Sequence, residues 1–288
     1  VRHYDDTLWQ DQLSQIDKLY NRYAVDHYPL EYILWYVEYG GLRFQVTEAT
    51  IIPRPETEFM IEVVREFLSS EFWVLNSEWE KNNSKSKTHH SKLMLVDVGT
   101  GSGVLGLSIA SSHTQALAGV LLIDVSDEAL EVARDNYERL VKLNQIDKDL
   151  EMMIEKGHLF DADVVNGLLR HFSSQWQNIL ITANLPYIPD EDFDTNPDRT
   201  IKHEPRLAFV GGNDGLDLYR EMFQQIHDFV SSWAQQSEVE RSLHKITMFL
   251  EMMTRQVDIL RQEFDWLVFE EVRTFHANIR IVKVEIAR

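Results

Sequence analysis

Asn184, Leu185, Pro186 and Tyr187 follow an apolar run, residues 179–181, that reads as the end of a buried strand. Together they set a carboxamide, a backbone carbonyl and a flat aromatic ring at one strand end. Pro186 biases Leu185 toward an extended conformation, which leaves that carbonyl turned outward. None of these groups exchanges a proton readily, so the set is poorly suited to acid–base work. It is well suited to holding a planar NH2 group: the Asn184 side-chain oxygen can accept one N–H, the Leu185 carbonyl the other, and Tyr187 can stack on the flat face. The lone pair of such a nitrogen is delocalised, so group transfer to it depends on fixing both hydrogens and aiming the nitrogen. An isolated Asn-x-Pro-Tyr is more often an ordinary turn, and the remaining residues have to decide.

A second constellation is Asp97-Val98-Gly99-Thr100-Gly101-Ser102-Gly103, which follows one strand and opens a helix. Glycines let a backbone turn sharply and a ligand approach closely, and the helix start offers free amides. The stretch also contains Gly101-x-Gly103-x-x-Gly106, the dinucleotide fingerprint, so by itself it does not choose between cofactors. Asp124 ends the next strand, where a carboxylate can accept both hydroxyls of a ribose, a group that NAD and S-adenosylmethionine share. A hydride-transfer enzyme needs a proton donor or acceptor near its substrate, and the 184–187 motif supplies none.

The elements that must position these residues follow a clear rhythm. Strand-like runs at 93–98, 119–125, 178–184 and 245–252 alternate with helical patterns near 103–112, at 126–143, 214–233 and up to 260. Two strands, 266–272 and 279–286, close the chain with no helix between them. This predicts an α/β fold with a mostly parallel sheet covered on both faces and one antiparallel strand inserted at the end. Ahead of it, residues 5–39 carry apolar groups at helical spacing (Leu8, Trp9, Leu13, Ile16, Leu19, Tyr20, Tyr23) and read as a small helical domain. Gly40-Gly41 ends it. Residues 42–46 and 49–52 alternate like two strands, and a helix begins at Glu56. The boundaries are read as 1–41 for the helical domain, 42–55 for a β-hairpin linker and 56–288 for the large domain. Residues 76–92 read as a polar loop insertion. His89 and His90 sit inside that loop without further ligands at suitable spacing, and no metal is expected.

The formal net charge is −19, from 28 basic and 47 acidic residues. A nucleic-acid backbone is thus a disfavoured partner. The absence of cysteine removes disulfides, thiolate nucleophiles and cysteine-bound zinc together. The longest apolar run, at 117–123, is far too short to span a bilayer, so a cytoplasmic protein is expected, acting as a monomer. Val1 stands where a natural chain would carry Met, and a start upstream is left open.

Taken in order, PLEYILWYVEYGGLRFQV, IIPRPETE, LVDVGTGSGVLGLSIA, IDVSDEALEVARDN, NLPYI and EPRLAFVGGNDGLDLYREM resemble the HemK/PrmC protein-(glutamine-N5) methyltransferases. The glycine loop is common to all class I methyltransferases, whereas PRPETE with GGNDGLDLYR is more specific and leans toward the release-factor branch over the ribosomal-protein branch. The resemblance implies a class I, Rossmann-like methyltransferase with a seven-stranded sheet and a small N-terminal helical domain joined by a β-hairpin. It implies S-adenosylmethionine as methyl donor, S-adenosylhomocysteine as product, and the GGQ glutamine of peptide chain release factors as target. Gly99, Thr100, Gly101, Ser102 and Gly103 would contact the cofactor, Asp124 its ribose and Leu159 its adenine. Asn184 would touch cofactor and substrate, with Leu185, Pro186 and Tyr187 completing the clamp and the hairpin through Arg54 docking the partner. Three positions depart from the pattern: Leu185 replaces a proline, His158 an acid and Trp35 a glycine. Asn-Leu-Pro-Tyr is also the spelling found in ribosomal RNA adenine dimethyltransferases. A different planar NH2, on a ribosomal-protein glutamine or an RNA or DNA adenine, is therefore the alternative, as is a binding module that keeps the fold without turnover. The acidic balance and PRPETE argue for the protein substrate.

Overall fold

The computed structural model describes residues 6–82, 92–164, 167, 176–236, 245–275 and 278–286. Its centre is a seven-stranded sheet. In chain order the strands are β3 (Lys92–Val98), β4 (Leu117–Asp124), β5 (Met152–Lys156), β6 (Trp176–Ala183), β7 (Lys245–Met253), β8 (Leu267–Phe275) and β9 (Ile279–Ile286). They lie side by side as β5-β4-β3-β6-β7-β9-β8, and only the pairings of β9 are antiparallel. The predicted terminal hairpin is the β8–β9 pair, and it places β9 between β7 and β8.

The strand sequences explain why both faces are covered. Met94, Val96 and Val98 of β3 pack in one buried cluster with Ile179, Ile181 and Ala183 of β6, while Leu93, Leu95 and Leu180 join the cluster on the opposite face. Alternate side chains of an apolar strand point to opposite faces, so such a run needs helices on both. Helices α3 (Pro55–Asn82), α4 (Val104–His113) and α5 (Asp127–Lys142) cover one side, and the later helix Asp217–Gln236 covers the other. The strand order reverses between β3 and β6. Their carboxyl ends, Val98 and Ala183, are direct partners in the ladder. The glycine loop and the Asn184 motif therefore leave the sheet side by side at its topological switch point.

Two sequence expectations change. The hairpin lies earlier than read: β1 (Tyr36–Tyr39) pairs with β2 (Leu42–Gln45) through Gly40-Gly41, and residues 49–52 are not a strand. Both glycines have positive φ, as a two-residue turn matched to strand twist requires. The glycine pair thus joins two strands rather than ending a helix. The N-terminal helical stretch consists of α1 (Asp6–Ala24) and α2 (Leu30–Leu34), the latter following Pro29. Second, α3 runs on to Asn82, into the stretch read as a polar loop. Residues 76–82 contain no Gly or Pro, so no helix breaker stops the element there. His89 and His90 lie outside the described residues.

Trp35 ends α2 with φ of 67°, the left-handed conformation, and is 63% exposed. A side chain there costs about 1–2 kcal/mol, which is the physical reason a glycine suits this position. Trp35→Gly should raise stability by about 0.5–1 kcal/mol after the added freedom of the unfolded chain is subtracted. A chemical-denaturation midpoint that stays level or falls would contradict this.

Candidate active site

The glycine loop is held from beneath by Asp97. This carboxylate is 1% exposed and accepts hydrogen bonds from the Thr100 hydroxyl (2.7 Å), the Gly106 amide (3.0 Å) and the Thr182 hydroxyl of β6 (2.7 Å). Burial pushes its carboxyl up to about 6 despite these donors. Asn136 of α5, fully buried, donates to the Ser102 carbonyl and to the Gln45 carbonyl, and its Oδ1 accepts from the Gln45 amide (2.7 Å). One side chain thus ties the loop to the hairpin.

Above the loop is a cavity of about 420 Å³ whose wall includes Gly99, Gly101, Asp124, Leu159, Asn184 and Pro186. That is the size range of small-ligand sites. Asp124 Oδ2 accepts from the Gly101 amide (2.9 Å) and Oδ1 from the Ser126 amide (3.0 Å), which fixes the carboxylate at the cavity edge. Gly101, at φ of 56°, has nothing within 4 Å of a would-be Cβ, so its backbone faces open space. Leu159, also left-handed with φ of 58°, supplies apolar wall. Of the residues read from the motif, Gly99, Gly101, Asp124, Leu159 and Asn184 share this cavity. Thr100 and Ser102 are buried and line a small adjoining recess, while Gly103 begins α4. His158, where the motif departs from an acid, also lines the cavity and pairs with Glu221 at 3.0 Å. An apolar wall with one fixed carboxylate and open glycine backbone fits a nucleoside-bearing cofactor.

A second cavity of about 340 Å³ adjoins the first. Arg54, Glu56, Tyr187 and Glu251 line it, and Ile51, Asn184 and Leu185 belong to the walls of both cavities. Leu185 is 2% exposed, and its Cδ2 lies 3.0 Å from where a Cβ on Gly99 would sit. Its N–H, which a proline would lack, meets the Tyr219 hydroxyl. Tyr219 in turn donates to the Glu251 carbonyl. Tyr187 donates its hydroxyl to Glu251 Oε1 at 2.9 Å, and burial beside that carboxylate holds the phenol far above its usual range, hence neutral. Gln256 donates to the carbonyls of Tyr187 (2.8 Å) and Asp214 (3.0 Å), stitching residues 184–187 to the 211–215 loop. A Cβ on Gly215 would meet the Tyr187 carbonyl at 2.0 Å, which explains the glycine there.

Arg54, read as a docking residue, lines the second cavity, but its guanidinium is bound inside the protein. It reaches Glu204 Oε1 at 2.6 Å, while the Ile52 amide donates to Oε2 at 2.8 Å. Glu204 of EPRLAF therefore anchors the PRPETE turn. Glu204, Glu251, Asn136 and Gln256 were not singled out from the sequence. Among the described residues no group of three or more His, Asp or Glu is placed to hold a metal ion, and no helix is long and apolar enough to cross a membrane.

This strand order, with a cavity at the switch point and an Asn-initiated motif after β6, defines a class I methyltransferase fold. Sequence comparison narrows the class. Residues 80–180 match the family Ribosomal protein L11 methyltransferase (PrmA), a stretch that covers the glycine loop and Asp124 and stops short of Asn184. Over a larger span the chain is similar to release factor glutamine methyltransferases. It is 31% identical to that of Synechocystis sp. over 216 residues (75% of this chain, 62% of that protein) and 34% identical to that of Clostridium acetobutylicum over 199 residues (67% and 56%). The resemblance carried by the motifs thus extends over most of the sequence, while the chain spans about three fifths of the length of these relatives. A solved structure of the human methyltransferase 10 domain containing protein is 13% identical, with a TM-score of 0.49 over 86% of this chain and 88% of that one.

Proposed function

We propose that the protein transfers a methyl group from S-adenosylmethionine to the side-chain amide nitrogen, N5, of the GGQ glutamine in peptide chain release factors. The observation that carries this reading is that Asn184 and Leu185 stand in the shared wall of the two cavities. One chamber suits a nucleoside, the other a planar side chain, and the acceptors lie at their junction. Bound S-adenosylmethionine supplies the electrophilic methyl group. Asp124 would accept the ribose hydroxyls, Gly99 and Gly101 would let the cofactor approach the backbone, and Leu159 would border its base. Asn184 Oδ1 and the Leu185 carbonyl accept the two N–H groups of the target amide, and Tyr187, pinned through its hydroxyl, offers a ring face to stack on. Two such acceptors would fix both hydrogens of the target nitrogen, and positioning is the main contribution.

The surroundings favour a protein over a nucleic acid. The segment after the clamp opens with Asp190, Glu191 and Asp192. Arg206 is paired with Asp190 and Asp194 there, and Arg255 with Asp192. Cations tied to acids at the rim do not invite a phosphate backbone. Residues 1–41 are read as the docking unit for the partner: Trp9, Leu13, Ile16, Tyr20 and Tyr23 of α1 are exposed apolar groups on one helix. Incubating a release factor with the protein and S-adenosylmethionine should add one methyl group to the GGQ glutamine, read by mass spectrometry. Transfer to ribosomal RNA or a ribosomal protein, with none to release factor, would reverse the reading.

Asp124→Ala should weaken cofactor binding by about 1–3 kcal/mol, roughly tenfold to a hundredfold, through lost charge-assisted hydrogen bonds. Calorimetry with S-adenosylhomocysteine reads this directly, and unchanged affinity would remove Asp124 from the site.

A further inference from the structure

Behind the clamp sits a carboxylate for which the mechanism so far has no use. Glu251 of β7 is 1% exposed and lines the second cavity with Asn184 and Tyr187. Its Oε1 is occupied by the Tyr187 hydroxyl, whereas Oε2 is fully buried and completes no hydrogen bond among the described residues. The Asn184 side chain contacts the carboxyl group and favours its ionised form, without closing a well-formed bond to Oε2. A buried charged oxygen left bare is costly. Packing does not call for it, since β7 on either side, Phe249, Leu250 and Met252, is apolar and buried.

What a carboxylate does here that no neutral side chain of its shape does is accept only. A side-chain amide is ambiguous: Asn184 can turn either its oxygen or its NH2 toward the target, and the wrong orientation places donor against donor. Opposite an acceptor-only group, the Asn184 NH2 is drawn toward Glu251 and Oδ1 is left for the substrate. We propose that Glu251 is a positioning residue that sets the polarity of the clamp, holding the Asn184 NH2 and the Tyr187 hydroxyl so that Asn184 Oδ1 faces the target amide. This rests on the amide-methylation reading and deepens it.

The groups facing the carboxyl are Tyr187 and Asn184 of the clamp, Tyr219 of the helix Asp217–Gln236, Glu56 at the start of α3, and Arg54. Burial pushes Glu251 up to about 7. A protonated Glu251 is itself a donor and no longer selects the Asn184 orientation, so kcat should fall as pH drops through that range.

The test compares wild type with Glu251→Gln, which keeps the shape and adds a donor. Two readouts are taken together: kcat and KM against pH with a release factor, and the side-chain amide resonances of Asn184 by NMR, assigned by their loss in Asn184→Ala. The variant should lose about tenfold or more in kcat with KM and S-adenosylhomocysteine affinity within about twofold, and lose the low-pH limb. The Asn184 amide should titrate near pH 7 in wild type and not in the variant. Full kcat in Glu251→Gln, or Asn184 resonances that respond neither to pH nor to the substitution, would overturn the proposal. If wild type methylates no release factor while the Asn184 amide still titrates with Glu251, the substrate reading fails and the positioning role stands.

Discussion

Replacing Asn184 by alanine lowers kcat on a release factor by about a hundredfold or more while S-adenosylhomocysteine affinity changes by no more than a fewfold. The asymmetry follows from where the residue stands. Asn184 is one of many groups around the cofactor cavity, which keeps Asp124 and the glycine backbone, but it is the side-chain acceptor at the junction with the second cavity. Without it the target amide keeps only the Leu185 carbonyl and can rotate about that single contact. Asn184→Asp does not rescue. It retains acceptor oxygens but sets a second carboxyl against buried Glu251, and a like charge beside a buried carboxyl disfavours ionising both. The shared proton then makes a donor of the pair where the chemistry needs an acceptor facing outward. Steady-state kinetics with calorimetry on the same samples separates these effects. Normal turnover in Asn184→Ala would dispose of the clamp.

The groups proposed to meet the reacting partners are legible in the sequence because each belongs to a local pattern. A strand, a glycine turn and a helix start fall within a dozen residues, and Asn184 to Tyr187 are consecutive. The alternation of strands and helices gave the parallel core, and the missing helix before Ile279 gave the antiparallel insertion of β9. What holds those groups in place was not legible. Asn136 meets Gln45 across 91 positions and Glu204 meets Ile52 across 152, so no spacing rule connects them. Glu251 sits inside an apolar strand, where a lone acid looks like a tolerated exception until Tyr187 is seen on its oxygen. The start of the hairpin is hidden in the sequence because Tyr36 and Val37 continue a helical spacing, and only the left-handed turn at Trp35 breaks it. Strand β5 has no sequence signature for a different reason: at the sheet edge its residues are half-buried or exposed, so neither an apolar run nor a clean alternation marks it.

Arg54→Ala tests whether the PRPETE turn is a docking element or a structural one, and the larger effect should be on stability. Glu204 has a fully buried side chain, Arg54 is 33% exposed, and the pair closes at 2.6 Å. Removing the cation leaves a buried carboxylate whose remaining donor is the Ile52 amide. Losing one partner of a buried pair costs about 3–5 kcal/mol, and the partial exposure of Arg54 brings the expected loss to about 2–4 kcal/mol near neutral pH. The pH dependence carries a sign. Burial already raises Glu204 above the usual carboxylate range while Arg54 holds it down. Without Arg54 the group rises further, so over the interval between the two values the variant must either take up a proton or bury a bare charge. The deficit is therefore full above that interval and shrinks as pH falls and wild-type Glu204 protonates as well. Adding Glu204→Gln to Arg54→Ala removes the charge and should recover much of the loss above that interval and little below it. Denaturation midpoints of the single and double variants across that range decide the matter. A loss that is independent of pH and unaffected by Glu204→Gln would mean that the pair contributes nothing. If the double variant regains stability yet still shows a raised KM for release factor with unchanged cofactor affinity, Arg54 also contacts the partner from the wall of the second cavity.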